Sequence, residues 1–361
     1  MSGPLDLDLN LDLDLDLNLN LNLAGRGGSG GGVRYNTEDY PKLAPIPPSV
    51  FWPQAPYKEF WKPEYRAWAY LYDFVVNGFP GQDPIDVFKT ELQGQTIFPV
   101  PGTSLTAARL NDQVQGVLDA SIDRSDRARE IISQASGAGA IGYWAGLLRI
   151  DPSRDTNTIL LIMVAHKIGE FVAMGLKGAL KMRRPSQVYP WIMPLIDPPD
   201  HPSYPSSHSL QGHLITAVLK FALRTPIDPP ATQPGVPSIG VFLKSAQEFE
   251  QAATDAIGRT AGSAQGINAI NGGAWNPDGA SLGAPYPQTA RALDVLADRV
   301  ARNREVAGVH YNMDSLAGAY VALLCMQKIK ARYLAGVPAL APSRLFYELF
   351  TAARTELYYL P

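Results

Sequence analysis

Three of the chain's five histidines fall in the stretch "HPSYPSSHSLQGH", residues 201–213. Imidazoles so close together can ligate a metal, carry a proton, or pack. A helical metal pair needs its histidines four residues apart, so that both rings lie on one face. Here His201 and His208 are seven apart, and His208 and His213 five. Five residues turn a helix by about 500°, which leaves the two rings roughly 140° apart. Pro202 and Pro205 separate His201 from any helix that carries the other two. The spacing speaks against a three-histidine zinc site. It fits a helix start instead. "PSSHSLQGHLITAVL" has Ser206 or Ser207 as N-cap and His208 in the first turn. A helix N-terminus offers unpaired N–H groups and partial positive charge, which suits an anion.

Two other segments supply matching charges. In "KGALKMRRP", Lys177 and Arg184 are seven apart, about two turns, so one helix face is expected to carry both. Pro185 is expected to end that helix at Arg184. In "RNREVAGVHYNMD", His310 and Asp314 are spaced i and i+4. A carboxylate accepting from one ring nitrogen leaves the other as a directed lone pair, as in a nucleophilic or metal-ligating imidazole. Arg304 lies six residues before His310 and needs the turn containing Gly308 to reach it. Taken singly, a solvated basic helix end and an ordinary satisfied His–Asp pair are the better account of these segments. His166 and Glu170 share a helix face and read as packing; His213 is expected to face a neighbouring helix.

In order, Lys177-x6-Arg184-Pro185, then Pro205-Ser206-Ser207-His208, then Arg304-x5-His310-x3-Asp314 resembles a signature shared by two enzyme groups. These are the vanadium-dependent haloperoxidases and the type-2 phosphatidic-acid phosphatase (acid phosphatase) superfamily. The resemblance implies an all-α fold of helical bundles with an oxyanion site in the bundle core. Lys177, Arg184 and Arg304 would neutralise the oxygens of vanadate or phosphate, with Ser206 and the backbone N–H of Ser207 as further donors. His310 would bond vanadium or phosphorus, Asp314 would orient it, and His208 would be the acid–base residue. The family usually has Gly where Ser207 stands. The N–H donor survives, and the side chain is tolerated if φ is negative there.

The motifs do not separate the two activities. Between His208 and Arg304 lie 95 residues, a long interval that resembles the haloperoxidases. His201, seven residues before His208, resembles the halide-site histidine of vanadium bromoperoxidases. The expected function is a vanadate-dependent haloperoxidase. It would use hydrogen peroxide to oxidise a halide, bromide favoured, to a hypohalous halogenating species. The alternative is a soluble acid phosphatase with His310 as nucleophile. A further alternative, a non-catalytic oxyanion-binding or self-assembling protein, is motivated by Ser207 and by the N-terminal repeat.

The elements that must position these residues are helical by periodicity. Eight apolar segments carry helix spacing between Pro56 and Leu360, separated by Pro- and Gly-rich loops, with no run of alternating strands. Residues 1–33 stand apart: a strict Leu/Asp/Asn alternation followed by a Gly-rich linker, expected to be disordered. Residues 34–361 are expected to form one catalytic domain. The formal charge of −3 lacks the basicity of nucleic-acid binders. The lone Cys325 in "AYVALLC" excludes intramolecular disulfides and reads as a small buried hydrophobe. The runs "ILLIMVA" and "LAGAYVALLCM" are shorter than the ~20 apolar residues a bilayer requires, and no signal-peptide pattern opens the chain. A soluble, cytoplasmic protein is therefore expected, and the resemblance favours a homo-oligomer.

Overall fold

The structure is a computed structural model that describes residues 62–95, 98–135, 137–223, 287–335 and 345–358. The Leu/Asp/Asn tail, the segment "SIGVFLKSAQEFEQAATDAI" and the loop "GSAQGINAINGGAWNPDGASLGAPYP" lie outside them. The described residues are helical, and no strand occurs among them. In chain order the helices are α1 (Pro63–Gly78), α2 (Pro84–Gln93), α3 (Ala107–Ala120), α4 (Arg124–Ser133), α5 (Gly137–Leu147) and α6 (Thr156–Leu180). Then come the single turn α7 (Pro185–Val188), α8 (Ser207–Leu223), α9 (Pro287–Val306), α10 (Asn312–Ala335) and α11 (Leu345–Tyr358). The expected all-α class is what the described chain adopts.

Helix α8 is the axis of the bundle. Thirteen of its seventeen residues are buried, so it is enclosed on every side rather than on one apolar stripe. Helices α6, α9 and α10 pack most extensively against it. Leu210, Leu214 and Leu219 are fully buried there, each worth about 1.5–3 kcal/mol of burial. The same enclosure forces its polar residues to find partners. Trp144 of α5 donates its indole N–H to Thr216 at 2.9 Å, and Lys220 pairs with Asp294 at 2.7 Å. Gly318 lets α10 approach the start of α8. A Cβ there would lie 2.7 Å from the Ser206 carbonyl oxygen and 2.9 Å from the Ser209 Cβ.

Helix α6 departs from expectation in two ways. Its apolar runs join into a window of mean hydropathy 1.8, long and apolar enough by composition to cross a membrane. Counting separate runs missed this, because His166, Lys167 and Glu170 interrupt them. Two thirds of that window is buried in the bundle, at 67%. The helix also ends before Pro185. Lys181 takes the left-handed conformation (φ 49°) and its N–H closes on the Lys177 carbonyl at 2.9 Å. Lys177 and Arg184 therefore do not share a helix face. Arg184 is extended (ψ 154°) ahead of Pro185, as the steric demand of proline requires. Cys325 is buried and free, as a small hydrophobe would be.

Candidate active site

The N-terminus of α8 forms as the serine pair suggests. Ser206 precedes the helix; its carbonyl accepts from Leu210 at 3.0 Å, and its Oγ faces the Ser209 N–H at 3.4 Å. Ser207 opens the helix, and it is not among the non-glycine residues with positive φ. The side chain at this position is thus accommodated. The Ser206 N–H donates to the Asp314 carbonyl at 2.9 Å, which ties this N-terminus to that of α10.

Gly308 closes the gap between Arg304 and His310. Its φ of +83° suits glycine. Its N–H reaches the Glu305 carbonyl at 2.9 Å, and the Val309 N–H reaches that of Arg304 at 3.2 Å. Arg304 in the last turn of α9 and His310 just before α10 are thereby folded onto each other. The i, i+4 spacing does not place both residues on one helix, because His310 stands just before α10, yet its Nδ1 lies 2.9 Å from Asp314 Oδ2. Asp314 is the third residue of α10 and also accepts from the Tyr311 N–H at 3.1 Å, as a carboxylate reaching back over a helix start does. The Ser203 hydroxyl donates to the same oxygen.

Partners fix the His310 tautomer. Arg184 Nη1 lies 3.1 Å from its Nε2. A guanidinium only donates, so Nε2 is the lone pair and Nδ1 carries the proton given to Asp314. Burial, then Arg184, Lys177, His208 and Arg304, hold this imidazole well below its ordinary pKa. It is neutral, with its lone pair facing cations. Burial raises Asp314 to about 6, opposed by Ser203, the Tyr311 N–H, Lys177 and Arg184.

The cations are buried and differ in how they are satisfied. Lys177 is fully buried and donates to the Pro202 and Ser203 carbonyls at 2.8 and 2.7 Å, leaving one ammonium proton unassigned. Burial and the neighbouring Arg184 lower it to about 7. Arg184 uses its whole fork on the protein. Nε donates to the His201 carbonyl at 3.1 Å, and Nη1 donates to Val309 O at 2.7 Å as well as to His310. Nη2 faces His201 Nδ1 at 3.0 Å and Pro202 O at 3.5 Å. Arg304 is the opposite case. Nη2 donates to the Ile131 carbonyl at 2.8 Å, while Nε and Nη1, both buried, have no partner. The Ser207 Oγ is likewise buried and unpartnered. Burial lowers both arginines to about 10.

His208 donates from Nε2 to the Gln134 carbonyl of the α4–α5 connection at 2.9 Å, so its Nδ1 is the free lone pair. Burial first, then Arg304, drops its pKa to about 3. His201 is half-buried and pairs with Arg184. His213 faces α9, with Nε2 3.4 Å from Asp298. The three histidines of the opening stretch have three different sets of partners. Among the described residues no three His, Cys, Asp or Glu side chains converge as a metal cage.

All nine sequence-selected residues thus meet where α6, α8, α9 and α10 converge: Lys177, Arg184, His201, Ser206, Ser207, His208, Arg304, His310 and Asp314. Sequence reasoning missed Ser203, which sits two residues after His201 and holds Asp314. It also missed the backbone of Ile131 and Gln134, for which no side-chain signal exists. Chemically, the arrangement is a buried cationic cluster. Lys177 and Arg184 act on the Asp314 carboxylate, Arg304 acts on His208 and His310 and carries two unpartnered donors, and the neutral His310 turns its Nε2 lone pair toward Arg184. The chain matches no protein-family model and no curated protein.

Proposed function

We propose that this chain is a vanadate-dependent haloperoxidase, built on a helical bundle of the vanadium haloperoxidase and acid phosphatase type. The observation that carries the oxyanion part is Arg304. Two buried guanidinium donors without partners cost about 1–3 kcal/mol each in desolvation. A tetrahedral oxyanion beside His310 would repay that cost through charge-assisted hydrogen bonds. Ser207 and the remaining Lys177 proton fit the same guest. Arg184 joins them by exchanging its bonds to His310 Nε2 and His201, which frees the imidazole lone pair for the central atom. The haloperoxidase part rests on the resemblance of the His208–Arg304 interval and of His201.

Vanadate so held would supply a Lewis-acidic centre able to activate hydrogen peroxide toward a halide. A halide ion, hydrogen peroxide and one proton become hypohalous acid and water. His208, in the first turn of α8, accepts and returns that proton at its ring nitrogen. Asp314, pinned by Ser203 and the Tyr311 N–H, keeps His310 in the tautomer that presents Nε2.

The same neutral, oriented His310 favours a second reading, a phosphomonoesterase in which Nε2 attacks phosphorus. Peroxide-dependent bromination of a diketone separates the two, assayed beside p-nitrophenyl phosphate cleavage. Bromination that requires vanadate and is lost in His310→Ala supports the first reading. Ester cleavage by the vanadate-free protein, without bromination, supports the second. Neither activity, with vanadate still bound, leaves an oxyanion-binding protein.

A further inference from the structure

Helix α9 ends at Val306, where the last carbonyls of a helix lack partners within it. Arg124, the first residue of α4, reaches this end from outside: its Nε donates to the Val306 carbonyl at 2.8 Å. The same guanidinium grips a second segment. Nη1 donates to the Ile192 and Met193 carbonyls at 2.9 and 2.8 Å, in the turn after α7. Met193 is left-handed there (φ 43°), a conformation uncommon for a residue other than glycine. The Leu195 N–H closes the joint by donating to the Ala307 carbonyl at 2.8 Å. Arg124 therefore fastens the end of α9 to the Ile192–Met193 turn. It lies against the turn that folds His310 onto Arg304. A Cβ at Gly308 would meet Arg124 Nη2 at 2.6 Å and Ile192 Cγ2 at 2.8 Å. Glycine is thus required there by the approach of the guanidinium as well as by its positive φ.

We infer that Arg124 is a positioning residue of the oxyanion site, fixing the approach of His310 to Arg304 through the Val306–Val309 backbone. The inference rests on the oxyanion part of the proposed function and deepens it; Arg124 itself makes no contact with the guest. The chain of contacts is short. Arg304 lies two residues before the carbonyl that Arg124 holds. On the other side of the turn, the Val309 carbonyl accepts from Arg184 Nη1 at 2.7 Å, and that nitrogen also lies 3.1 Å from His310 Nε2. A shift of this turn would move Arg304, His310 and Arg184 relative to one another. Val306, Ala307 and Val309 also pack in a small apolar cluster with Ala120 and Ile131, but apolar burial is non-directional. The planar guanidinium fork fixes direction as well as distance, which a site built around a tetrahedral guest demands.

The test compares the full chain in wild type, Arg124→Met, Arg124→Lys and Arg332→Met. Arg124→Met keeps the apolar stem and removes all three hydrogen bonds; Arg124→Lys restores a cationic donor without the fork. Arg332→Met breaks the pair with Asp73, 2.9 Å apart, toward the far end of α10, and controls for lost stability. Equilibrium dialysis with inorganic vanadate, at a temperature where all four are folded, should show Kd raised about tenfold or more in Arg124→Met. Arg124→Lys should fall between it and wild type, and Arg332→Met should match wild type. A second readout needs no guest. In the vanadate-free proteins, the nitrogen NMR resonance of His310 Nε2, assigned by its loss in His310→Ala, reports the bond to Arg184. It should move toward that of an unbonded lone pair in Arg124→Met and stay in place in Arg332→Met. Unchanged affinity with an unmoved resonance in Arg124→Met overturns the inference, as do equal changes in Arg332→Met. A wild type that binds no vanadate refutes the proposed function instead, and the His310 resonance then decides for or against Arg124.

Discussion

On the proposed function, Arg304 is the residue at which stability is given up for binding. A buried cation with unpaired donors is expensive in a folded protein that is only marginally stable. Replacing it with methionine of similar length should stabilise the vanadate-free protein by about 1–3 kcal/mol, since two unpaired donors vanish and one bond to Ile131 is lost. The same variant should lose vanadate affinity by about 100-fold or more. Thermal unfolding and equilibrium dialysis read the two effects; a variant that is less stable and binds as well would contradict this role. His208 gives a pH dependence. Its folded pKa, about 3, lies below its ordinary value of 6.5. The unfolded chain therefore takes up the proton first, and stability falls as pH drops from 6.5 toward 3. Asp314, raised to about 6, works in the other direction between 3.8 and 6. In His208→Gln, the loss of stability between pH 6.5 and 4 should be shallower by one proton's worth, about 1.4 kcal/mol per pH unit. Denaturant titrations with an unchanged slope would show that His208 titrates normally.

At the scale of elements, the N-termini of α8 and α10 must stay in register, because Ser206, His208 and Asp314 ride on them. Gly318 sets that approach. Gly318→Ala should destabilise the fold by about 1–3 kcal/mol, because the atoms it meets are backbone and a packed serine. It should also reduce turnover more than an equally destabilising change in α11, measured at a temperature where both variants are folded. Much of this layout is legible in the sequence. The serine pair announces the start of α8, and the apolar periodicity gives α6, α8 and α10. Other parts are not. Helix α4 buries only Ile131, so it lacks an apolar stripe, yet its end supplies the carbonyls that hold Arg304 and His208. Helix α2 does carry a readable signal, since Asp83 caps it through the Ile85 N–H at 2.8 Å and Pro84 sits at its first position. The position of Arg184 was misjudged because spacing alone cannot reveal the left-handed Lys181 that ends α6 early. Ser203 escaped notice because its partner lies 111 residues away.

For the whole molecule, the chemistry is gathered at the ends of helices rather than along them. Lys177 belongs to the last turns of α6, Ser206 to His208 to the start of α8, Arg304 to the end of α9, and His310 and Asp314 to the start of α10. Residues widely separated in sequence meet there because α8 runs through the centre of the bundle and the others pack around it. A net charge of −3 says nothing of this; the positive field is local and buried. Buried groups that stay unsatisfied without a guest also imply that the guest stabilises the fold. Ligand at 100 times its Kd should add about 2.7 kcal/mol. The most direct measurement is a crystal structure of the full chain with vanadate. The account predicts vanadate bonded to His310 Nε2, with Arg304 Nε and Nη1, Lys177 and Ser207 on its oxygens and Arg184 swung away from the imidazole. Vanadate bound elsewhere, or none bound at this cluster while Arg184 keeps its bond to His310, would contradict it.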